Sequence, residues 1–137
     1  MTRARIAHNA SSAEYFFREG CHITEWWNVP EDPAVSVARA RVEPGVTTRW
    51  HRLHGITERY VILRGQGRVE LEGAEPEQVA AGDVVLIPAG VAQRIRNTGQ
   101  SDLVFLAVCS PRFRPDLYQE ADSGRTRAAA TGDRRTP

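Results

Sequence analysis

The sequence predicts an all-β fold, an antiparallel sandwich or barrel built from many short strands. Apolar, β-branched and aromatic stretches recur along the chain, with turn signals of Gly, Pro, Asn and Asp roughly every 6 to 12 residues. No convincing helical period precedes Pro115. A chain of 137 residues is long enough for one domain with its own hydrophobic core.

The N-terminal half supplies the first five predicted strands. Residues 1–12 are polar or small, which predicts a flexible N-terminus. Turn residues, including Gly20 and Gly55, separate the apolar stretches that follow. The predicted strands are Tyr15–Arg18, His22–Trp27, Val35–Val42, Val46–Leu53 and Glu58–Leu63.

The C-terminal half continues the pattern and then loses it. Strands are predicted at Arg68–Leu71, Gln78–Val79, Asp83–Ile87, Gln93–Asn97 and Leu103–Cys109. Asp116 is a suitable cap for a short helix at Asp116–Glu120. Residues 121–137 are small, charged and poor in apolar side chains, which predicts a disordered tail. The predicted organisation is one β-barrel domain at 13–115, followed by a short helix and the tail at 116–137.

Composition and charge argue against several classes of partner. The net charge is +1, so no electrostatic footprint for nucleic acid or an anionic membrane is expected. No apolar run approaches the roughly 20 residues of a membrane span, and the first residues lack the apolar core of a secretion signal. With only two cysteines, Cys21 and Cys109, the expected setting is reducing and cytoplasmic.

Two segments, residues 45–65 and 82–97, carry the most informative spacing in the chain. They read Gly45-x5-His51-x-Leu53-x4-Glu58-x6-Gly65 and Gly82-x5-Pro88-x-Gly90-x2-Gln93-x3-Asn97. They resemble the two motifs of the cupin family, G-x5-H-x-H-x3or4-E-x6-G and G-x5-P-x-G-x2-H-x3-N. The resemblance implies a double-stranded β-helix, the jelly-roll barrel of the cupins, which the strand pattern also suits.

Two positions depart from the family pattern, because Leu53 and Gln93 stand where cupins usually have histidine. In the family these positions, together with those of His51 and Glu58, usually hold a metal. The resemblance therefore implies a divalent transition metal, Fe, Mn, Ni or Zn, held by His51, Glu58 and Gln93. His54 is a further candidate ligand, since a bulge at the neighbouring Gly55 could turn it inward, although strict alternation points it away.

Strand alternation predicts which motif side chains reach the barrel interior. If His51 points inward, Glu58, Tyr60 and Gln93 share that interior, with Leu53 as an apolar wall. This set also suits a metal-free pocket, in which the polar side chains satisfy one another by hydrogen bonds.

Three functions remain open from the sequence. The first is a metal-binding cupin that acts on a small molecule as an oxygenase, isomerase, lyase or hydrolase. The second is a metal-free acid–base enzyme in which His51 and Glu58 move a proton and Tyr60 orients the substrate. The third is a non-enzymatic protein that binds or senses a small ligand. A homodimer is expected, since the aromatic segments 15–17 and 26–27 are too apolar for a free sheet edge.

Overall fold

A computed structural model describes residues 3–121, and it confirms the all-β prediction. Within this range eleven strands form two antiparallel sheets, and the helical content is one 3₁₀ turn at Pro115–Leu117. No helix in this part of the chain has the length and apolarity that crossing a membrane requires. The predicted tail at 122–137 lies outside the described residues.

The strands are numbered in chain order. The ranges are β1 Tyr15–Phe17, β2 Cys21–Trp27, β3 Ser36–Val42, β4 His51–Leu53, β5 Thr57–Arg64, β6 Gln66–Leu71, β7 Glu77–Ala80, β8 Val84–Ile87, β9 Gln93–Asn97, β10 Leu103–Ser110 and β11 Tyr118–Glu120. One sheet has the order β1-β2-β3-β10-β5-β8, and the other has the order β11-β4-β9-β6-β7. From β4 onwards the chain alternates between the two packed sheets, except that β6 and β7 pair with each other in the second sheet. This is the jelly-roll arrangement.

The period of two along β5 and β9 places the motif side chains inside. Glu58, Tyr60 and Ile62 are buried on β5, while the residues between them are only partly buried. Gln93 is buried on β9, and it pairs with His51 of β4 across the second sheet. Successive side chains of a strand point to opposite faces, so one register brings these polar residues into a common interior.

Motif-two Asn97 has a structural role in the turn that follows β9. Its Nδ2 donates to the carbonyl oxygens of Val42 and Ser101, each at 2.8 Å. Its Oδ1 accepts from the backbone N–H of Gly99, also at 2.8 Å. Asn97 is 1% exposed, so these bonds satisfy a polar side chain that the fold has removed from water.

The predicted helix at Asp116–Glu120 is wrong. After the single 3₁₀ turn the chain becomes extended, and β11 pairs with β4 through Tyr118↔Leu53 and Glu120↔His51. Pairing with β4 satisfies the backbone of this segment and leaves Tyr118 buried. Residues beyond 115 therefore contribute the edge strand of the second sheet.

The strand predicted over Val46–Leu53 is shorter in the structure, starting only at His51. Thr48 still forms a backbone hydrogen bond with β9, because its N–H donates to the carbonyl oxygen of Ile95. The next residue, Arg49, instead donates its N–H to the carbonyl of Glu19, at 2.8 Å, in the turn between β1 and β2. The chain thus leaves β9 here and contacts the β1–β2 turn, which brings Glu19 towards His51.

The hydrophobic core falls into two clusters of unequal size. The larger one fills the space between the sheets and includes Ile62, Ile95 and Phe105. The smaller one contains Leu53, Ile56, Cys109 and Tyr118. Tyr60 packs on Phe105 of the larger cluster, and His51 stacks on Tyr118 of the smaller one. The polar motif residues therefore lie where the two clusters meet.

Candidate functional site

Three buried side chains form a hydrogen-bonded chain in the interior. The Tyr60 hydroxyl donates to Oε1 of Gln93, and the Gln93 amide Nε2 donates to Oε1 of Glu58 at 2.7 Å. Each of the three is less than a tenth exposed. Buried polar groups are stable only when they are paired, so this chain fixes the orientation of all three side chains.

The fold shifts the pKa of the Glu58 carboxyl group close to neutral pH. Burial raises the pKa of its carboxyl from the ordinary 4.5 to about 7, and the nearby Glu19 charge pushes it in the same direction. The positive potential of His51 and hydrogen bonds from Gln93 and Cys109 oppose this rise. A carboxyl with a pKa near 7 can both donate and accept a proton under physiological conditions.

His51 is held in place on both sides of its ring. Its Nδ1 lies 2.8 Å from the backbone carbonyl of Arg49, so this nitrogen carries the proton and donates it. The ring stacks on Tyr118 with 5.0 Å between centroids and 22° between planes. Its Nε2 faces Oε1 of Glu19 at 3.4 Å. This contact places the imidazole beside a second carboxyl group of the interior.

Glu19 is the site residue that sequence reasoning missed. It lies outside both motifs, in the turn between β1 and β2, where Gly20 has a φ of 107°. Its Oε2 accepts a hydrogen bond from the thiol of Cys21 at 2.8 Å. Glu19 lies two positions before Cys21, so strand alternation would place both side chains on the same face. This signal is weak, because the turn at Gly20 interrupts the alternation.

A pocket opens from this network along the inner face of the six-stranded sheet. Its cavity volume is about 50 Å³, and about 490 Å³ of free space lies in and around it when the part open to solvent is included. Glu58, Tyr60, Glu19 and Cys109 all reach its wall, so a bound molecule could contact both carboxyl groups. His51 does not line the pocket and acts on it through Glu19.

The structure brings four of the predicted residues together and separates a fifth. His51, Glu58, Tyr60 and Gln93 are all buried in the interior. His54 is exposed, and its Nε2 hydrogen-bonds Oε1 of Gln119 on the surface, so it does not reach the other candidate ligands. Strict alternation therefore holds here, and no bulge at Gly55 turns His54 inward.

The donor atoms that are present do not fit a resident transition metal as they are arranged. Gln93 can offer a metal only its amide oxygen, and this oxygen already accepts a hydrogen bond from the Tyr60 hydroxyl. Leu53 packs in the smaller core cluster and offers no ligand atom. Within residues 3–121 no group of three or more His, Cys, Asp or Glu side chains is placed to hold a metal ion. The metal at His51, Glu58 and Gln93 stays a prediction from the motif.

Cys21 and Cys109 are both buried and are not joined to each other. Burial raises the pKa of both thiols, and neighbouring carboxylates raise them further. Both sulfurs therefore stay protonated and act as weak hydrogen-bond donors to the acidic side chains rather than as nucleophiles.

Known proteins resemble this chain in both sequence and structure. An oxalate-binding protein of Thermotoga maritima is 39% identical over 71 residues, covering 52% of this chain and 58% of that protein. Endoribonuclease YbeY of Myxococcus xanthus is 36% identical over 84 residues, covering 61% of this chain but only 28% of that protein. The chain thus spans less than two thirds of the length of either curated relative.

Among solved structures, Pac13 of Streptomyces, described as a nucleoside dehydratase, superimposes with a TM-score of 0.70. It is 20% identical in sequence, and the match covers 88% of this chain and 92% of that one. The family model for the cupin domain matches residues 38–109, which is more than half of the sequence. This match, the two intact glycine frames and the jelly-roll topology agree, and the chain belongs to the cupin family.

Proposed function

We propose that this protein is an acid–base cupin that binds a small molecule in the pocket and moves a proton on it. The observation that carries the proposal is the position of Glu58, which reaches the pocket wall while it is 8% exposed. Within residues 3–121 no arginine pairs with it. A carboxyl group that is accessible to a ligand, shielded from water and not neutralised by a cation suits general acid–base catalysis.

Two of the three carboxyl groups that line the pocket divide the proton-transfer work. Glu58 lies in the drier environment, where its raised pKa favours the acid form, so it donates a proton to a leaving group. Glu19 is paired with the His51 imidazole, and this pair accepts the proton that the substrate loses. Tyr60 and Gln93 hold Glu58 in one orientation through the hydrogen-bonded chain.

An acid and a base on one substrate suit elimination of water or a proton shift between neighbouring carbons. The fold shared with Pac13, described as a nucleoside dehydratase, supports the elimination class as the first to test. Sequence identity to that protein is only 20%, so its substrate is not carried over.

Proton transfer can be tested before the natural substrate is known. Small hydroxylated compounds, including sugar derivatives, amino alcohols and nucleosides, are incubated with the protein in D₂O and in the presence of a chelator. We expect at least one compound to exchange a carbon-bound proton for deuterium or to lose water, as followed by NMR and mass spectrometry. Glu58→Gln should abolish this reaction, whereas Glu77→Gln, an exposed change on β7, should not affect it.

Two results of that screen would contradict the proposal. Activity that disappears with the chelator and returns with Fe, Mn, Ni or Zn would instead support the metal predicted from the motif. Equal turnover by wild-type and Glu58→Gln protein would show that Glu58 does not transfer the proton.

Ligand binding without turnover is a second candidate function. The sequence match to a protein named for binding oxalate favours it, since the 39% identity extends over 52% of this chain. A compound that binds tightly and is recovered unchanged, with no deuterium incorporated, would support this function.

We also expect a homodimer in solution. Leu63, Val84 and Leu86 are between 45% and 63% exposed and lie on the outer face of neighbouring strands β5 and β8. These three are neighbours on one outer face, whereas in the N-terminal segment Phe16 already packs against His22. Light scattering should give about twice the 15.3 kDa chain mass, and Leu86→Glu should shift it towards the monomer.

The matched control for the dimer is Phe16→Glu on β1, at the opposite edge of the same sheet. It adds the same charge at a similarly exposed residue and should leave the mass unchanged. Dissociation by Phe16→Glu rather than Leu86→Glu would place the contact at the N-terminal segment, as the sequence alone suggests. A monomeric wild-type protein at high concentration would contradict the dimer altogether.

A further inference from the structure

The side chains with acidic or basic groups that line the pocket are all acidic. Among the described residues that line it, three carry an ionisable carboxyl group, namely Glu19, Glu25 and Glu58, and none is arginine, lysine or histidine. The whole chain has 18 arginines, so the lack of a basic side chain at the wall is not a matter of composition. An anionic ligand would meet like charges in a site with a reduced dielectric, which is unfavourable.

The carboxyl groups of the pocket are held mainly by neutral donors. Glu25 accepts from the Tyr15 hydroxyl at 3.2 Å, and Glu58 accepts from the Gln93 amide. Glu19 accepts from the Cys21 thiol and has the His51 ring beside it. Ion pairs with arginine do occur on the surface, for example at Glu14 and Glu70, but within residues 3–121 none involves these three. Within residues 3–121 these three carboxyl groups therefore have no arginine to balance them, and the His51 ring lies beside Glu19 alone.

The remaining wall is largely aromatic and apolar. Five aromatic rings contribute to it in the described part of the chain, those of Tyr15, Phe17, Tyr60, Phe105 and Phe113. Phe17 and Phe113 meet edge to face with 6.0 Å between centroids, and Tyr60 contacts Phe105 at 4.3 Å. Aromatic faces attract cations as well as apolar groups, and the attraction grows when the cation is removed from water. The carboxylates and the aromatic faces therefore both favour a positively charged ligand.

We propose that the ligand of this pocket is a small organic cation, a protonated amine on a compact apolar or hydroxylated body, and that carboxylate and phosphate ligands are rejected. Glu25 lies next to Tyr15, which is 43% exposed, so the ammonium group contacts Glu25 near the open side. The rest of the molecule then reaches Glu58 and Glu19 between the aromatic rings. This inference rests on the proposed function only for the identity of the site, since it concerns binding and not turnover.

Three probes of nearly equal size separate charge from shape: benzylamine, benzyl alcohol and benzoate. Titration of the full-length protein at neutral pH, followed by NMR and calorimetry, should rank them in that order. We expect benzylamine to bind at least roughly tenfold more tightly than benzoate, the ratio that about 1.4 kcal/mol produces. Shifted resonances should include those of Phe17 and Phe113, which places the probe in the pocket.

Glu25→Gln tests the role assigned to this carboxyl, and Glu77→Gln on the exposed strand β7 is its control for net charge. Glu25→Gln should weaken benzylamine binding about fivefold or more and leave benzyl alcohol unchanged, while Glu77→Gln changes neither. Benzoate binding as tightly as benzylamine, or no probe binding at the pocket, would overturn the inference. Amine binding by a protein that shows no proton transfer would support it while contradicting the acid–base function, so the two failures are distinguishable.

Discussion

Replacing Glu58 with glutamine should remove most of the pH dependence that this site adds to folding stability, and it should abolish proton transfer. The pKa of Glu58 rises from 4.5 to about 7 because the fold buries its carboxyl group. Glutamine keeps the shape and can still accept the Gln93 hydrogen bond, but it has no proton to exchange. Loss of a general acid or base typically lowers the rate by about 100-fold or more.

The sign of the stability effect follows from the direction of the pKa shift. The folded protein binds the Glu58 proton more tightly than the unfolded chain does, since its pKa is raised in the fold. Stability from this group is therefore fully present below pH 4.5 and is lost as the pH rises through about 7. The shift corresponds to at most about 3 kcal/mol, and the variant should lack this decline.

Urea unfolding of both proteins, at a series of pH values between about 4 and 8, measures the difference directly. The free energy of unfolding of wild type minus that of Glu58→Gln should fall with rising pH and then level off. Other perturbed carboxyl groups, such as Glu14 and Glu25, are present in both proteins and cancel. Parallel curves, or a wild type that gains relative stability as the pH rises, would show that Glu58 does not titrate in the fold as described.

Gly65→Ala should be among the most damaging substitutions of a single methyl group in this chain. Gly65 ends the first motif with a φ of 92°, a conformation that side chains rarely adopt. A Cβ there would lie 2.8 Å from the carbonyl oxygen of Asp102 and 3.0 Å from the Cα of Leu103. These are backbone atoms of the loop before β10 and of β10 itself, so the contact cannot be relieved by a side-chain rotation. Strain and overlap together predict a loss of about 2 to 5 kcal/mol.

Gly82→Ala separates the backbone strain from the steric overlap. Gly82 begins the second motif with a φ of 95°, but a Cβ there would meet nothing within 4 Å. This variant should lose only the conformational part, about 1 to 2 kcal/mol. Denaturant unfolding of both variants gives the comparison. Equal losses would mean that the approach of Asp102 to Gly65 is not tight in solution.

Motif spacing correctly predicted the barrel and the placement of four interior residues. Alternation along β5 and β9 is local, because each side chain points away from its neighbours for steric reasons that hold in any strand. For that reason Glu58, Tyr60 and Gln93 could be assigned to one interior from the sequence. The same local rule places the His54 side chain on the outside, and His54 is exposed in the structure. The helix predicted at 116–120 failed because pairing with β4 outweighed a local capping signal.

The sequence by itself therefore determined the family, the jelly-roll fold and the residues that line one end of the barrel. Tertiary structure alone decided that Glu19 lies beside His51, since the contact depends on a turn between β1 and β2 meeting the chain before β4. It also decided that Gln93 bonds to Tyr60 and Glu58, and that three carboxyl groups line a pocket with no arginine among its described lining residues. Motifs record spacing within one segment, whereas the charge of a pocket depends on side chains that distant strands bring together.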